Sequence, residues 1–180
     1  TRASGTYSVA LGDGAVASGG RAIALGMSVS SSNSGSVALG IGTSSGAYAS
    51  TAMGNLTRAS GTASTAMGNE ADATGGYSMA IGLGDQTGGD AVVSGGNSLG
   101  IFMGDMGASI DVSSGNTMAV LGGDFIVGSP QTDDTGNAAH DSRMFFDTSK
   151  AAFRAGRVEN DYWDDANVGN YSFAVGHNTR

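Results

Sequence analysis

Over the first 84 residues, small and large side chains alternate with a period of two, set inside a longer period of fourteen. The triplets Ala10-Leu11-Gly12, Ala24-Leu25-Gly26, Ala38-Leu39-Gly40, Ala52-Met53-Gly54, Ala66-Met67-Gly68 and Ala80-Ile81-Gly82 keep this period without an insertion. Two residues before each glycine the side chain is always Ala, and four before it is Ser8, Ala22, Ser36, Ser50, Ser64 or Ser78. The positions between are mostly large. One residue before the glycine stand Leu11, Leu25, Leu39, Met53, Met67 and Ile81, and three before it Val9, Ile23, Val37, Thr51, Thr65 and Met79. Alternation of period two predicts a strand. A weaker strand follows each glycine, with small alternate residues such as Ala15 and Ala17 or Ala71 and Ala73, and ends in Ser/Thr/Gly corners such as Ser60-Gly61.

Repetition at a fixed period is the mark of a solenoid. Each repeat reads as strand, turn, strand, turn, which is one coil of a narrow parallel β-solenoid whose coils stack about 4.8 Å apart. A fourteen-residue coil encloses little space, so the Ala and Ser columns belong inside and the large columns outside. An outward ladder of Leu, Met, Ile and Val is an interaction surface. Burial is worth about 1.5–3 kcal/mol per large side chain, a strong drive to associate. The expected subunit interface is therefore Val9, Leu11, Ile23, Leu25, Val37, Leu39, Met53, Met67, Met79 and Ile81, which cyclic closure would bury on every chain.

Composition sharpens this picture. Among 180 residues there are 32 Gly and 1 Pro, and only 13% are charged, against about 25% in ordinary domains. Leu, Ile, Val and Phe make up only about one residue in six, a level at which disorder competes with folding. A disordered chain has no reason to hold phase over six repeats, so disorder is excluded. The absence of Cys removes disulfides, thiolate zinc sites and thiol nucleophiles. No apolar run is long enough to span a bilayer, and Thr1 to Gly5 lacks the layout of a signal peptide. The net charge of -8 argues against nucleic acid and against membrane contact by this segment. All of that charge lies beyond residue 84, as do nine of the twelve aromatics, so two kinds of structure share the chain.

The repeats Tyr7-Ser8-Val9-Ala10-Leu11-Gly12-Asp13-Gly14-Ala15-Val16-Ala17-Ser18-Gly19 and Tyr77-Ser78-Met79-Ala80-Ile81-Gly82 resemble the YadA-like head repeat of trimeric autotransporter adhesins. The resemblance covers residues 1 to about 84 and returns at Tyr171-Ser172-Phe173-Ala174-Val175-Gly176. It implies an all-β, left-handed parallel β-roll, packed as a homotrimer and displayed outside the cell as an adhesive fibre. Similar rolls occur in phage tail-fibre-like surface proteins, so a phage or tail-like-particle fibre binding host surface glycans is the alternative.

Four segments are expected. Residues 1–84 form the regular β-roll and 85–128 irregular, wider coils that continue the stack. There, Asp90-Ala91-Val92-Val93-Ser94-Gly95 reads as a slipped copy of Arg21-Ala22-Ile23-Ala24-Leu25-Gly26, and 96–107 as degenerate. Residues 129–166 form an inserted acidic and aromatic module, opened by Ser129-Pro130, with a hairpin or short β-element and its own core. Residues 167–180 resume the roll. Thr1-Arg2-Ala3-Ser4-Gly5-Thr6 is identical to Thr57-Arg58-Ala59-Ser60-Gly61-Thr62, and Gly176 would lie fourteen residues before Gly12 of a following copy. The expectation is one unit of a longer tandem filament.

Candidate chemistry is thin. His140-Asp141-Ser142 has triad residue types, but sequence neighbours do not converge into a relay, so no enzyme activity is expected. Two isolated His make no metal site, and no cofactor is expected. Asp133, Asp134, Asp161, Asp164 and Asp165 have the oxygen chemistry for Ca²⁺ but not its loop spacings, and read as solvated acids. Tyr162 and Trp163 beside Asp164 and Asp165 are the candidate ligand contact, a stacking site for a host glycan or matrix protein, but a place in the module's core is the favoured assignment.

Overall fold

The computed structural model describes residues 1–84, 89–104, 107–128, 142–158, 161–163 and 165–179. They form two compact units, Thr1–Gly122 and Gly123–Arg180. Apart from two short 3-10 turns, the regular structure among the described residues is all β.

The first unit is a parallel β-roll of sixteen strands. One sheet holds β1 (Arg2–Ala3), β3 (Val16–Ala17), β5 (Ser30–Ser31), β7 (Ser44–Ser45), β9 (Arg58–Ala59), β11 (Ala71–Ala73), β13 (Ala91–Val93) and β15 (Ile110–Asp111), in that spatial order. The other holds β2 (Val9–Leu11), β4 (Ile23–Met27), β6 (Val37–Ile41), β8 (Thr51–Asn55), β10 (Thr65–Asn69), β12 (Met79–Leu83), β14 (Leu99–Met103) and β16 (Met118–Leu121). Register follows the sequence period: Ile23 pairs with Val37, Ala24 with Ala38, Leu25 with Leu39 and Gly26 with Gly40.

Small side chains fill the interior. Ala24, Ala38, Ala52, Ala66 and Ala80 from one sheet, and Ala17, Ala59, Ala71 and Ala73 from the other, are fully buried. Buried serines hydrogen-bond across the coil: the hydroxyls of Ser31 and Ser36 are 2.7 Å apart, as are those of Ser45 and Ser50. The glycine column is a requirement of the stack. Gly40 has φ +129°, and a Cβ there would stand 1.9 Å from the carbonyl oxygen of Gly54 in the next coil. The left-handed corners are more permissive: Tyr7, Arg21, Ala49, Leu56 and Glu70 all adopt positive φ.

Beyond Gly82 the coils lengthen while strand register holds. Met79 pairs with Leu99 and Leu99 with Met118, while Ala71 pairs with Ala91 and Ala91 with Ile110. Ala91-Val92-Val93 therefore belongs to the sheet of Ala71–Ala73, not to that of Ile23–Leu25 as its likeness to Arg21–Gly26 suggested. Ala91 and Val93 point inward and are fully buried, the pattern of the second strand of a coil. The strand expected there lies at Leu99–Met103, within the stretch read as degenerate. Its disguise is Phe102, which takes the register position of Gly82 and is fully buried. Gly100 makes the room, since a Cβ on it would come within 2.5 Å of that ring.

The second unit has one four-stranded sheet, β17 (Phe125–Gly128), β18 (Ser142–Asp147), β19 (Ala152–Arg157) and β20 (Phe173–His177). β17 and β18 pair antiparallel, as do β18 and β19, whereas β19 and β20 are parallel. Phe125–Gly128 thus pairs with the strand that opens the module, so the division falls at Gly122–Gly123 and not after residue 128. The expected hairpin is β18–β19. The start of the expected module, residues 129–141, lies outside the described residues.

Candidate subunit interface

In the sheet that begins with β2, strand pleating puts Ala inside and the large neighbours outside. In the register ladder, Val9, Ile23, Val37, Thr51, Thr65 and Met79 form one outward column, and Leu11, Leu25, Leu39, Met53, Met67 and Ile81 another. Val9 and Leu11 are 51% and 69% exposed, and the other residues of the expected interface are half-buried by their own neighbours in the stack. All ten candidate residues share this face.

The ladder is larger than the repeats predicted. Leu99 and Met118 extend the first column, and Ile101 and Val120 the second, through the irregular coils. A third column, one residue after the glycine, adds Met27, Ile41 and Leu83, all about half exposed, with Asn55 and Asn69 between them. The Asn55 amide donates to Asn69 Oδ1 at 2.8 Å. The alternation that identifies the first two columns also predicts this one, but the glycine interrupts the apolar run. A groove in this face is lined by Tyr77, Met79, Asn97, Leu99, Asn116 and Met118.

The opposite sheet presents a different surface. Its outward column reads Arg2, Val16, Ser30, Ser44, Arg58, Asp72 and Val92. Arg58 donates through Nε and Nη2 to Asp72 Oδ2, at 3.1 and 2.5 Å. Burial holds the Asp72 carboxyl above its ordinary value despite this contact, while the carboxylate raises the Arg58 guanidinium. The outward column of this sheet is mostly polar, whereas those of the other sheet are mostly apolar.

In the second unit the candidate ligand residues fall elsewhere. Tyr162 and Trp163 lie in the 3-10 turn Asp161–Trp163, and a second turn spans Asp165–Asn167. Trp163 is 1% exposed and packs with Phe145, Ala152, Val158 and Val168, its ring edge-on to Phe145 at 6.1 Å. Its indole N–H donates to the Thr179 carbonyl at 3.0 Å. A ring enclosed on all sides offers no face to a sugar, so Trp163 belongs to the core and not to a stacking site. Tyr162 is partly buried against the same cluster. Asp164 lies outside the described residues, as does the side chain of Asp165. Asp133, Asp134 and His140 are likewise outside them. Among the described residues, no three His, Asp or Glu side chains gather as metal ligands would.

Arg154 brings a charge into this core. Arg154 sits two residues before Gly156, where the roll carries Ala, and is 1% exposed. Its guanidinium donates to the Phe153 carbonyl at 2.9 Å and to Ser172 Oγ at 2.7 Å. Burial lowers its pKa, against the opposing charge of Asp147.

Two stretches, residues 3–28 and 59–84, each match the family model of the YadA head domain repeat. Together they are under a third of the chain, which carries YadA-like head repeats over those residues. No curated protein and no solved structure is a match for the chain.

Proposed function

We propose that this chain is a structural and adhesive segment of an extracellular fibre, displayed at a cell surface and assembled as a homotrimer of left-handed β-rolls. The carrying observation is the division of the roll into one apolar and one polar outward face around an interior of Ala and Ser. An interior so small contributes little hydrophobic stabilisation per coil, and the large side chains that would supply more are turned outward. Three chains meeting at the Leu/Met/Ile face complete the core that each lacks. The matches to the YadA head repeat support the same assignment.

The roll sets the length and stiffness of the fibre, and matrix proteins or glycans of a host are its adhesive partners. Recurrence of the hexapeptide Thr1–Thr6 at Thr57–Thr62 supports a longer filament of tandem copies. The role requires no catalysis and no cofactor.

Sedimentation equilibrium tests the assembly. Three chains per particle are expected for the natural sequence, and monomers for Leu25→Asp/Leu39→Asp. A natural chain that stays monomeric at micromolar concentration would overturn the proposal. Binding of the intact chain to immobilised matrix proteins and glycans tests adhesion separately, and turnover of a polysaccharide would refute the non-enzymatic role.

A further inference from the structure

The sheet of the second unit has a face that its own core does not use. Phe125 is in register with Phe146, Phe146 with Phe153, and Phe153 with Phe173, so one phenylalanine from each strand forms a row across the sheet. Phe125 and Phe146 are each 43% exposed and Phe173 is 75% exposed. The Phe153 and Phe173 rings stack at 5.2 Å with 14° between their planes. A second row, Val127, Met144, Ala155 and Val175, lies beside the first. The other face already holds Phe145, Arg154 and Trp163. A contiguous apolar surface of this kind on a folded unit marks an interaction site.

The backbone indicates what covers it. Gly156 has φ +136°, and a Cβ on it would stand 2.0 Å from the Gly176 carbonyl oxygen; Gly26 has the same φ, and its Cβ would lie 1.9 Å from the Gly40 oxygen. Ala151 and Tyr171, five residues before these glycines, have φ 52° and 53°, as Ala63 and Ala49 do five residues before theirs. β19 and β20 are therefore two stacked roll strands, spaced by twenty residues. Phe153 and Phe173 occupy the coil position of Ile23 and Val37, and Ala155 and Val175 that of Leu25 and Leu39. β17 and β18 widen this face by two strands and two further phenylalanines.

We infer that the Phe125–Phe146–Phe153–Phe173 row is a second self-association face, covered by the same face of further copies of this chain. The inference rests on the trimer reading, because it takes the shared coil position as the reason for a shared partner. It adds that this face of the second unit is covered in the assembly and is not free to bind a receptor.

Thiol labelling tests this in the full chain, which has no Cys of its own. Phe173→Cys, Val175→Cys and Leu39→Cys are made singly, and maleimide reaction is followed in the assembled protein. Emission of Trp163, the sole Trp, checks that the second unit is folded. All three thiols are expected to react at least about tenfold more slowly than in a Leu25→Asp background. Fast reaction at both 173 and 175 with Leu39→Cys protected would overturn the inference and leave the trimer reading standing. Fast reaction at all three would overturn that reading with it. A glycan that protects 173 and 175 from otherwise fast labelling would assign the row to a sugar and also refute the inference.

Discussion

Gly40 shows how little freedom a single position has in so narrow a coil. A side chain there meets both an unfavourable φ and the next coil's carbonyl, and the backbone term alone costs about 1–3 kcal/mol. Gly40→Ala should lower the thermal midpoint by several degrees. Gly20→Ala, with nothing nearer than Ser34 Oγ at 3.9 Å, should change stability by less than about 0.5 kcal/mol. The buried hydroxyls of Thr43 and Thr57 make the opposite case, for neither Oγ1 has a hydrogen-bond partner among the described residues. Thr57→Val removes an unsatisfied polar atom at nearly constant shape and should stabilise by about 1 kcal/mol, measurable by urea unfolding. Gly40 could be read from the fourteen-residue period. The orphaned hydroxyls could not, because Thr among inward-facing residues does not reveal whether a partner lies within reach.

At the scale of elements, the β18–β19 hairpin is held by its turn. Asp147 Oδ1 accepts hydrogen bonds from Ser149 N, Ser149 Oγ and Lys150 N at 2.9, 2.7 and 3.1 Å. Burial alone would raise this carboxyl, but the Ser149 and Lys150 hydrogen bonds outweigh it and hold the pKa below the ordinary value. A carboxyl depressed in the folded state binds protons more weakly there than in the unfolded chain. It adds stability above the ordinary carboxylate range and loses it as pH falls through the folded value. Asp147→Ala should cost about 1.5–3 kcal/mol at neutral pH, from loss of the charge-assisted bonds. The difference should shrink in strong acid, with Trp163 emission as the readout. The element itself was half legible. Seven of the twelve aromatics, gathered between 145 and 173, announced a core. That β19 is also a roll strand was hidden, because Arg154 replaces the marker Ala and twenty residues separate it from its partner strand.

At the scale of the whole molecule, association through an apolar face predicts a particular response to salt. Screening acts on exposed charges, which this face lacks, so raising NaCl from about 0.05 to 1 M should leave the proposed trimer intact. Ammonium sulfate should tighten it by strengthening apolar burial. Dissociation by moderate NaCl, read by light scattering, would point to an ionic interface instead. In the proposed trimer, burial between chains would replace burial within one and offset the scarcity of large apolar residues.

By itself the sequence determined the strand period, the inward Ala and Ser columns, the glycine corners and two of the three outward columns. These are local facts, fixed because in a coil of fourteen residues every neighbour in the stack stands at a constant offset along the chain. Only the tertiary structure decided the rest: that Leu99–Met103 continues the apolar sheet around a buried Phe102, that Trp163 is enclosed, and that four phenylalanines align on one face. Each of these depends on pairing across loops of unequal length. Once the offset between neighbours varies, periodicity no longer says which residue meets which, and packing chooses the register.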